Sequence, residues 1–289
     1  MRNLLSVLLL PVALAACTGN ATTSESNGAA LPAHNLDKPL NTWNLSPDLI
    51  EISGITPAGR NQILAIEDAT RHVYLLDLAS GARVRHKGLL RTSDNTKIDM
   101  EGIELVGNTA YAVRSNGMLL EITDWAGSPK VRELQTGIPE RENIEGIAYD
   151  PVSGHLLLAS KEFQGKKGKK GKNDSRIIYA YDLKAGALLP EPFLEIGPEA
   201  VAKMGNGKGG FHPSAIAVHP RTGEICVLGS AGIRGLACFG RDGSLRSFTP
   251  IRDALMPQPE GLCFGPDGTL YISTEGSGDA PARLFSFKG

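Results

Sequence analysis

Five segments of the chain repeat a short pattern that opens on a residue able to do chemistry. They read Ser53-Gly54-Ile55, Glu101-Gly102-Ile103, Glu145-Gly146-Ile147, Ser214-Ala215-Ile216 and Glu260-Gly261-Leu262. Two residues upstream of each opening residue stand Glu51, Asp99, Asn143, His212 and Gln258. All ten positions are polar. Residues two apart on an extended strand share a side, so alternation predicts two polar rings around one space. Ca²⁺ takes six to eight oxygen ligands, which makes Glu101, Glu145 and Glu260 candidate metal ligands, helped by Glu51, Asp99 and Asn143. The same glutamates can instead accept hydrogen bonds from backbone N–H groups of the next repeat, a structural job that Ser53 and Ser214 share. Crowded carboxylates raise one another's pKa, so Glu101 and Glu145 are also candidate acid–base groups.

A second charged set follows each pattern by roughly fifteen residues: Glu67-Asp68, Arg114-Ser115, Lys161-Glu162, Ser230 and Glu275. Arg114 and Lys161 either pair with Glu67, Asp68, Glu162 or Glu275, or bind an anion such as a phosphate ester. Glu51, Asp99, Arg114, Lys161 and Glu275 are therefore candidate ligand contacts. His212 stands two residues before Ser214, but no Gly-x-Ser-x-Gly elbow surrounds the pair. His212 is kept as a catalytic candidate and as a ligand-contacting or hydrogen-bonded side chain. His72, His86, His155 and His219 lack metal-ligand spacing. The run Lys166-Lys167-Gly168-Lys169-Lys170-Gly171-Lys172 is either a solvated loop or a contact for an anionic envelope component or acidic protein.

Such residues need elements to hold them. After each pattern comes a turn and a second apolar run, such as Ile63-Leu64-Ala65-Ile66 or Leu270-Tyr271-Ile272-Ser273. A third alternating run, a tight Gly turn and a weaker fourth strand complete the unit. The spacings between patterns are 48, 44, 69 and 46 residues. Four strands in about 46 residues is a β-propeller blade. The expectation is an all-β propeller of five blades, with six as the alternative, because the 69-residue interval is long. Insertions near 164–175 and 197–211 absorb that excess in the five-blade reading. The last repeat has only three strands, so the segment around Thr42-Trp43-Asn44-Leu45 is expected to complete it and close the ring.

The N-terminus carries an address. Arg2 precedes an apolar run from Leu4 to Leu14, too short to span a bilayer but suited to a signal peptide. It ends in Leu14-Ala15-Ala16-Cys17, which resembles the lipobox of bacterial lipoproteins. The resemblance implies acylation of Cys17 and, with Thr18 following, an outer-membrane lipoprotein facing the periplasm of a Gram-negative bacterium. The domain reading is a signal peptide at 1–16, a flexible tether at 17–40 and the propeller at 41–289. The periplasm permits disulfides. A symmetric hairpin about Gly232 would set Cys226 opposite Cys238, leaving Cys263 as a buried thiol.

The blade openings, with Ile144-Glu145-Gly146-Ile147-Ala148-Tyr149-Asp150-Pro151 and the closing block Pro257-Gln258-Pro259-Glu260-Gly261-Leu262 to Arg283-Leu284-Phe285-Ser286-Phe287, resemble the SdiA-regulated propeller family over residues 42–289. They resemble phytase esterase-like propellers less closely. The resemblance implies a fold and an envelope location rather than a reaction. The chain departs from the pattern at Ala215 and in its Lys loop. A formal net charge of −1 argues against nucleic acid as a partner. The function read from the sequence is a lipid-anchored binding or scaffolding module acting through its polar mouth. The alternative is a calcium-assisted hydrolase of a phosphoester or lactone.

Overall fold

The computed structural model describes residues 34–93, 99–162, 175–205 and 210–288. The segment expected to be a signal peptide, Cys17, most of the expected tether and the Lys166–Lys172 run lie outside the described residues. The described chain forms five antiparallel sheets, and these are the blades of a five-bladed propeller. Their innermost strands are Ile52–Gly59, Met100–Val106, Ile144–Asp150, Phe211–Val218 and Pro259–Phe264. Each packs against the next, and the fifth packs against the first, so the ring is closed. The long third interval holds the helix Pro198–Met204 rather than another sheet.

The first four blades follow the chain outward strand by strand. The fifth takes its outermost strand from the other end of the chain: Asn41–Asn44 pairs antiparallel with Arg283–Phe287, setting Asn41 opposite Ser286. Residues just before it also dock. Leu36 is buried in the core between blades four and five, and His34 Nδ1 lies 3.0 Å from the carbonyl of Lys288. The His34 and His219 rings both flank Phe264.

The hydrophobic core is divided among the five junctions between neighbouring blades. At the axis the blades meet backbone to backbone, and the pattern glycines make this approach fit. A Cβ on Gly54 would lie 2.8 Å from Gly102 Cα, and one on Gly146 would lie 2.9 Å from the Ile216 nitrogen. Side chains cannot occupy those positions without moving the neighbouring strand. At the face opposite the blade openings, Arg241 of blade four reaches blade three. Its two terminal nitrogens donate to the two oxygens of Asp150 at 2.9 and 2.7 Å. Asp150 is fully buried and also accepts hydrogen bonds from the Val152 and Ser153 backbone in its own turn. Cys226 pairs with Cys238 across blade four and the two are disulfide-bonded, while Cys263 is free and buried.

Candidate functional site

Every innermost strand is irregular at the same point. The register shifts across Ser53, Glu101, Glu145, Ser214 and Glu260, the five opening residues. A bulge of this kind re-aims a side chain and is common beside functional sites. It also breaks the strict alternation from which two stacked rings were expected. The residues two upstream lie in the connections entering blades one, two, three and five, with Asp99 and Asn143 at positive φ of 45° and 49°. Their carbonyls take the N–H at the end of the second strand: Glu51 from Asp68, Asp99 from Ser115, Asn143 from Lys161 and Gln258 from Glu275. This repeated bond sets the two charged sets side by side at one mouth of the channel.

The serines and glutamates of the pattern do different work. Ser53 Oγ donates to the Met100 carbonyl at 2.6 Å, and Ser214 Oγ to the Pro259 carbonyl at 2.8 Å. Both bonds join neighbouring blades. Ser214 is thus committed to backbone, while His212 Nδ1 lies 3.5 Å from an Arg176 nitrogen, so the two do not form a nucleophile–base pair. Glu145 bonds to side chains: Lys161 Nζ lies 3.0 Å from its Oε1, and Asn143 Nδ2 donates to the same oxygen at 2.6 Å. Lys161 therefore pairs with none of the four acids expected for it. Burial, then the charges of Glu145, Asp99 and Glu260, push Glu101 up to about 9. Burial and Glu145 push Glu260 up to about 8. Burial raises Glu145 as well, against the pull of Lys161 and Asn143. At neutral pH Glu101 and Glu260 keep their protons, and the ammonium at 3.0 Å balances Glu145.

The metal ligands expected from the sequence are not those the fold gathers. Among the described residues, one trio brings carboxylate oxygens all within 4.8 Å of one another, and it is Glu51, Glu67 and Asp68 in blade one. Glu101, Glu145 and Glu260 do not form such a trio. Glu67 ends the second strand of its blade and is 2 % exposed. Its Oε2 accepts from the Ala69 N–H at 2.9 Å, while the buried Oε1 has no hydrogen-bond partner. A buried carboxylate oxygen in that state is costly, and a bound cation would satisfy it. Glu51 is exposed and Asp68 half-buried, so the trio opens to solvent. Glu275 feels the charges of both acidic groups. Burial, then the charges of Asp68 and Glu51, raise it to about 7, with Lys161 opposing. Arg114 is buried at the end of its strand, with a guanidinium nitrogen 3.8 Å from Met118 sulfur.

No protein-family model matches the chain. No curated protein matches it in sequence. Solved structures do match. A glutaminyl cyclase from Myxococcus xanthus aligns over 87% of this chain and 95% of its own, with 12% identity and a TM-score of 0.60. A gluconolactonase from Xanthomonas campestris aligns over 82% and 72%, with 12% identity and a TM-score of 0.50. A luciferin-regenerating enzyme aligns over 87% and 96%, with 10% identity and a TM-score of 0.50. At these identities the likeness is one of propeller fold alone.

Proposed function

We propose that the protein is a metal-assisted hydrolase working at the acidic mouth of its channel, with Glu51, Glu67 and Asp68 as ligands of a divalent cation. The observation that carries this reading is the trio itself, with its buried and unpartnered Glu67 oxygen. Three carboxylates fit Ca²⁺, a hard cation that takes oxygen ligands and completes its shell with carbonyls, water or substrate. The bound ion would supply Lewis-acid polarisation of an ester or phosphoryl oxygen and a more acidic water. The chain supplies the rest of the mouth. Glu101 and Glu260 retain protons at neutral pH and can donate one to a leaving oxygen. The glutamates thus fit an acid–base role better than the metal role expected of them. The gluconolactonase among the structures of similar fold suggests lactones, beside phosphoesters, for a substrate panel.

The test is thermal unfolding of the purified protein with Ca²⁺ or with EDTA, for the wild type and Glu67→Gln. Saturation at one hundred times Kd stabilises the native state by about 2.7 kcal/mol. At about 2–4 °C per kcal/mol for a body of this size, the midpoint rises by about 5–11 °C. Glu67→Gln is expected to abolish the rise. No rise in the wild type, or an equal rise in Glu67→Gln, rejects the site.

Family and address complete the proposal. The protein is placed with the SdiA-regulated propellers on the strength of its blade openings and closing block, and on the outer membrane through acylated Cys17. The Cys226–Cys238 bond supports an oxidising compartment. The Lys166–Lys172 run supports an anionic envelope component as a partner. Membrane fractionation of Cys17→Ala tests the anchor: the variant is expected in the soluble fraction.

A further inference from the structure

We infer that His34 is a proton-operated latch, which holds residues 34–40 on the junction between blades four and five at neutral pH and loosens them in acid. The inference is independent of the proposed metal site. His34 is 8 % exposed, and its ring lies 6.0 Å from that of Phe264. Its Nδ1 is 3.0 Å from the Lys288 carbonyl. A carbonyl oxygen only accepts, so Nδ1 carries the proton of the neutral ring and Nε2 is bare. That Nε2 is buried and has no hydrogen-bond partner. The His219 ring, 4.9 Å from Phe264, holds the opposite tautomer. Its Nδ1 accepts from the N–H groups of Arg221 and Thr222 at 3.3 and 3.2 Å. The proton of His219 therefore sits on Nε2, which is likewise buried without a partner.

Protonation cannot be accommodated in this arrangement. A charged His34 gains an N–H at Nε2, where no acceptor faces it. His219 cannot serve, because its one acceptor nitrogen is taken by its own turn. Burial lowers the pKa of His34 below its usual 6.5, against the pull of the Lys288 carbonyl. Burial, then the charges of Arg221 and His34, bring His219 down to about 4, so it stays neutral while His34 titrates. The surrounding charges give no relief. Asp37, on the same segment, pairs with Arg252 at 2.9 Å. Arg221 and the exposed Lys288 bring further positive charge. Among the described residues neither ring has an ion pair with a carboxylate, Glu224 and Asp267 of the adjoining turns included. A base whose docked pKa is lowered favours docking fully above its free value near 6.5 and progressively less as pH falls below it. The rest of the hold is the buried Leu36, the exposed Asp37–Arg252 pair and the Leu40 N–H on the Ser286 carbonyl at 2.7 Å. Release would uncover Leu36 and the apolar junction beneath it, which contains Phe264 and Phe287.

Hydrogen exchange followed by mass spectrometry at about pH 7.5 and about pH 5, corrected for intrinsic exchange rates, reads the latch directly. Protection of an amide reports the free energy of local opening. With a free pKa near 6.5 and a lowered docked one, protection across residues 34–40 is expected to fall by about 10–30-fold in the wild type. The strand Thr109–Arg114 of blade two is the internal reference and is expected to change little. His34→Asn keeps an N–H for the Lys288 carbonyl and does not titrate, so its protection at 34–40 is expected to be the same at both pH values. If His34→Asn is already unprotected at about pH 7.5, His34→Phe, which keeps a ring beside Phe264, takes its place. Long-range ¹H–¹⁵N spectra of the wild type are expected to show the proton on Nδ1 of His34 and on Nε2 of His219. Unchanged protection at 34–40 in the wild type, an equal loss in the reference strand, or the same loss in the non-titrating variant overturns the inference. So does a His34 that titrates at its ordinary value.

Discussion

Replacing Asp150 by Asn tests how much of the ring's cohesion comes from one ion pair between blades. Asp150 is fully buried and meets the Arg241 guanidinium through two hydrogen bonds of 2.9 and 2.7 Å. Burial alone would raise its pKa, but Arg241, Ser153 and the Val152 N–H outweigh burial and bring it from 3.8 down to about 2. At about 1.4 kcal/mol per pH unit, that lowering corresponds to about 2.5 kcal/mol of native-state stability. Arg241 keeps part of its side chain in solvent, which reduces the figure to about 2 kcal/mol. Asn also leaves Arg241 without its carboxylate, and breaking a buried pair costs about 3–5 kcal/mol. The expected loss at pH 7 is therefore about 2–4 kcal/mol, or about 4–16 °C in midpoint. The pH dependence has a fixed sign. An acid with a lowered folded pKa contributes stability that is complete above its unfolded value and disappears as pH falls through its folded value. Urea unfolding of wild type and Asp150→Asn at pH 7, 5 and 3 should give a gap that is constant down to about pH 4 and narrows below it. A double-mutant cycle with Arg241→Met should give a coupling of about 2 kcal/mol. Equal stability at pH 7, or a gap undiminished at pH 3, would refute the reasoning.

Two further outcomes follow from the packing. Gly54→Ala places a methyl 2.8 Å from Gly102 Cα and 2.9 Å from the Ile103 nitrogen. Since backbone must move, a destabilisation of at least about 1–3 kcal/mol is expected in chemical denaturation, whereas Gly81→Ala, with open space around it, should show no steric effect beyond its backbone preference. Reducing Cys226–Cys238, or replacing both cysteines by Ala, opens a loop with a sequence separation of 12. Loop entropy puts the loss near about 3 kcal/mol, read as a lower midpoint in the double variant under non-reducing conditions.

The blades were legible in the sequence because each hairpin needs a left-handed residue at its turn. Gly154, Gly223 and Gly268, all at positive φ, mark the turns after three innermost strands. Ring closure was legible because the last repeat lacked a strand. The polar mouth was visible as a set of residue types, but its partners were not. Strict alternation predicted the side-chain directions, and the bulges at the opening residues change them. Glu67 and Asp68 belong to the second charged set visible in the sequence, yet their meeting with Glu51 depends on the bond between the Asp68 N–H and the Glu51 carbonyl. Nothing in local spacing encodes that bond. The sequence leaves Lys161 open between pairing with the acids of the second charged set and binding an anion, whereas the fold turns it toward Glu145. The disulfide was within reach because hairpin symmetry fixes register over so short a span.

The pairing of Asn41 with Ser286 also has a consequence for how the body is made. A chain synthesised from its N-terminus carries Asn41–Asn44 long before the partner strand Arg283–Phe287 emerges. The residues joined are 245 apart, so this contact closes a very long loop and has a large entropy to overcome. Until it forms, Arg283–Phe287 presents an unpaired edge next to a core containing Phe285 and Phe287. The closed ring therefore depends on two segments far apart in sequence, and neither Asn41–Asn44 nor Arg283–Phe287 can be removed without reopening the last blade.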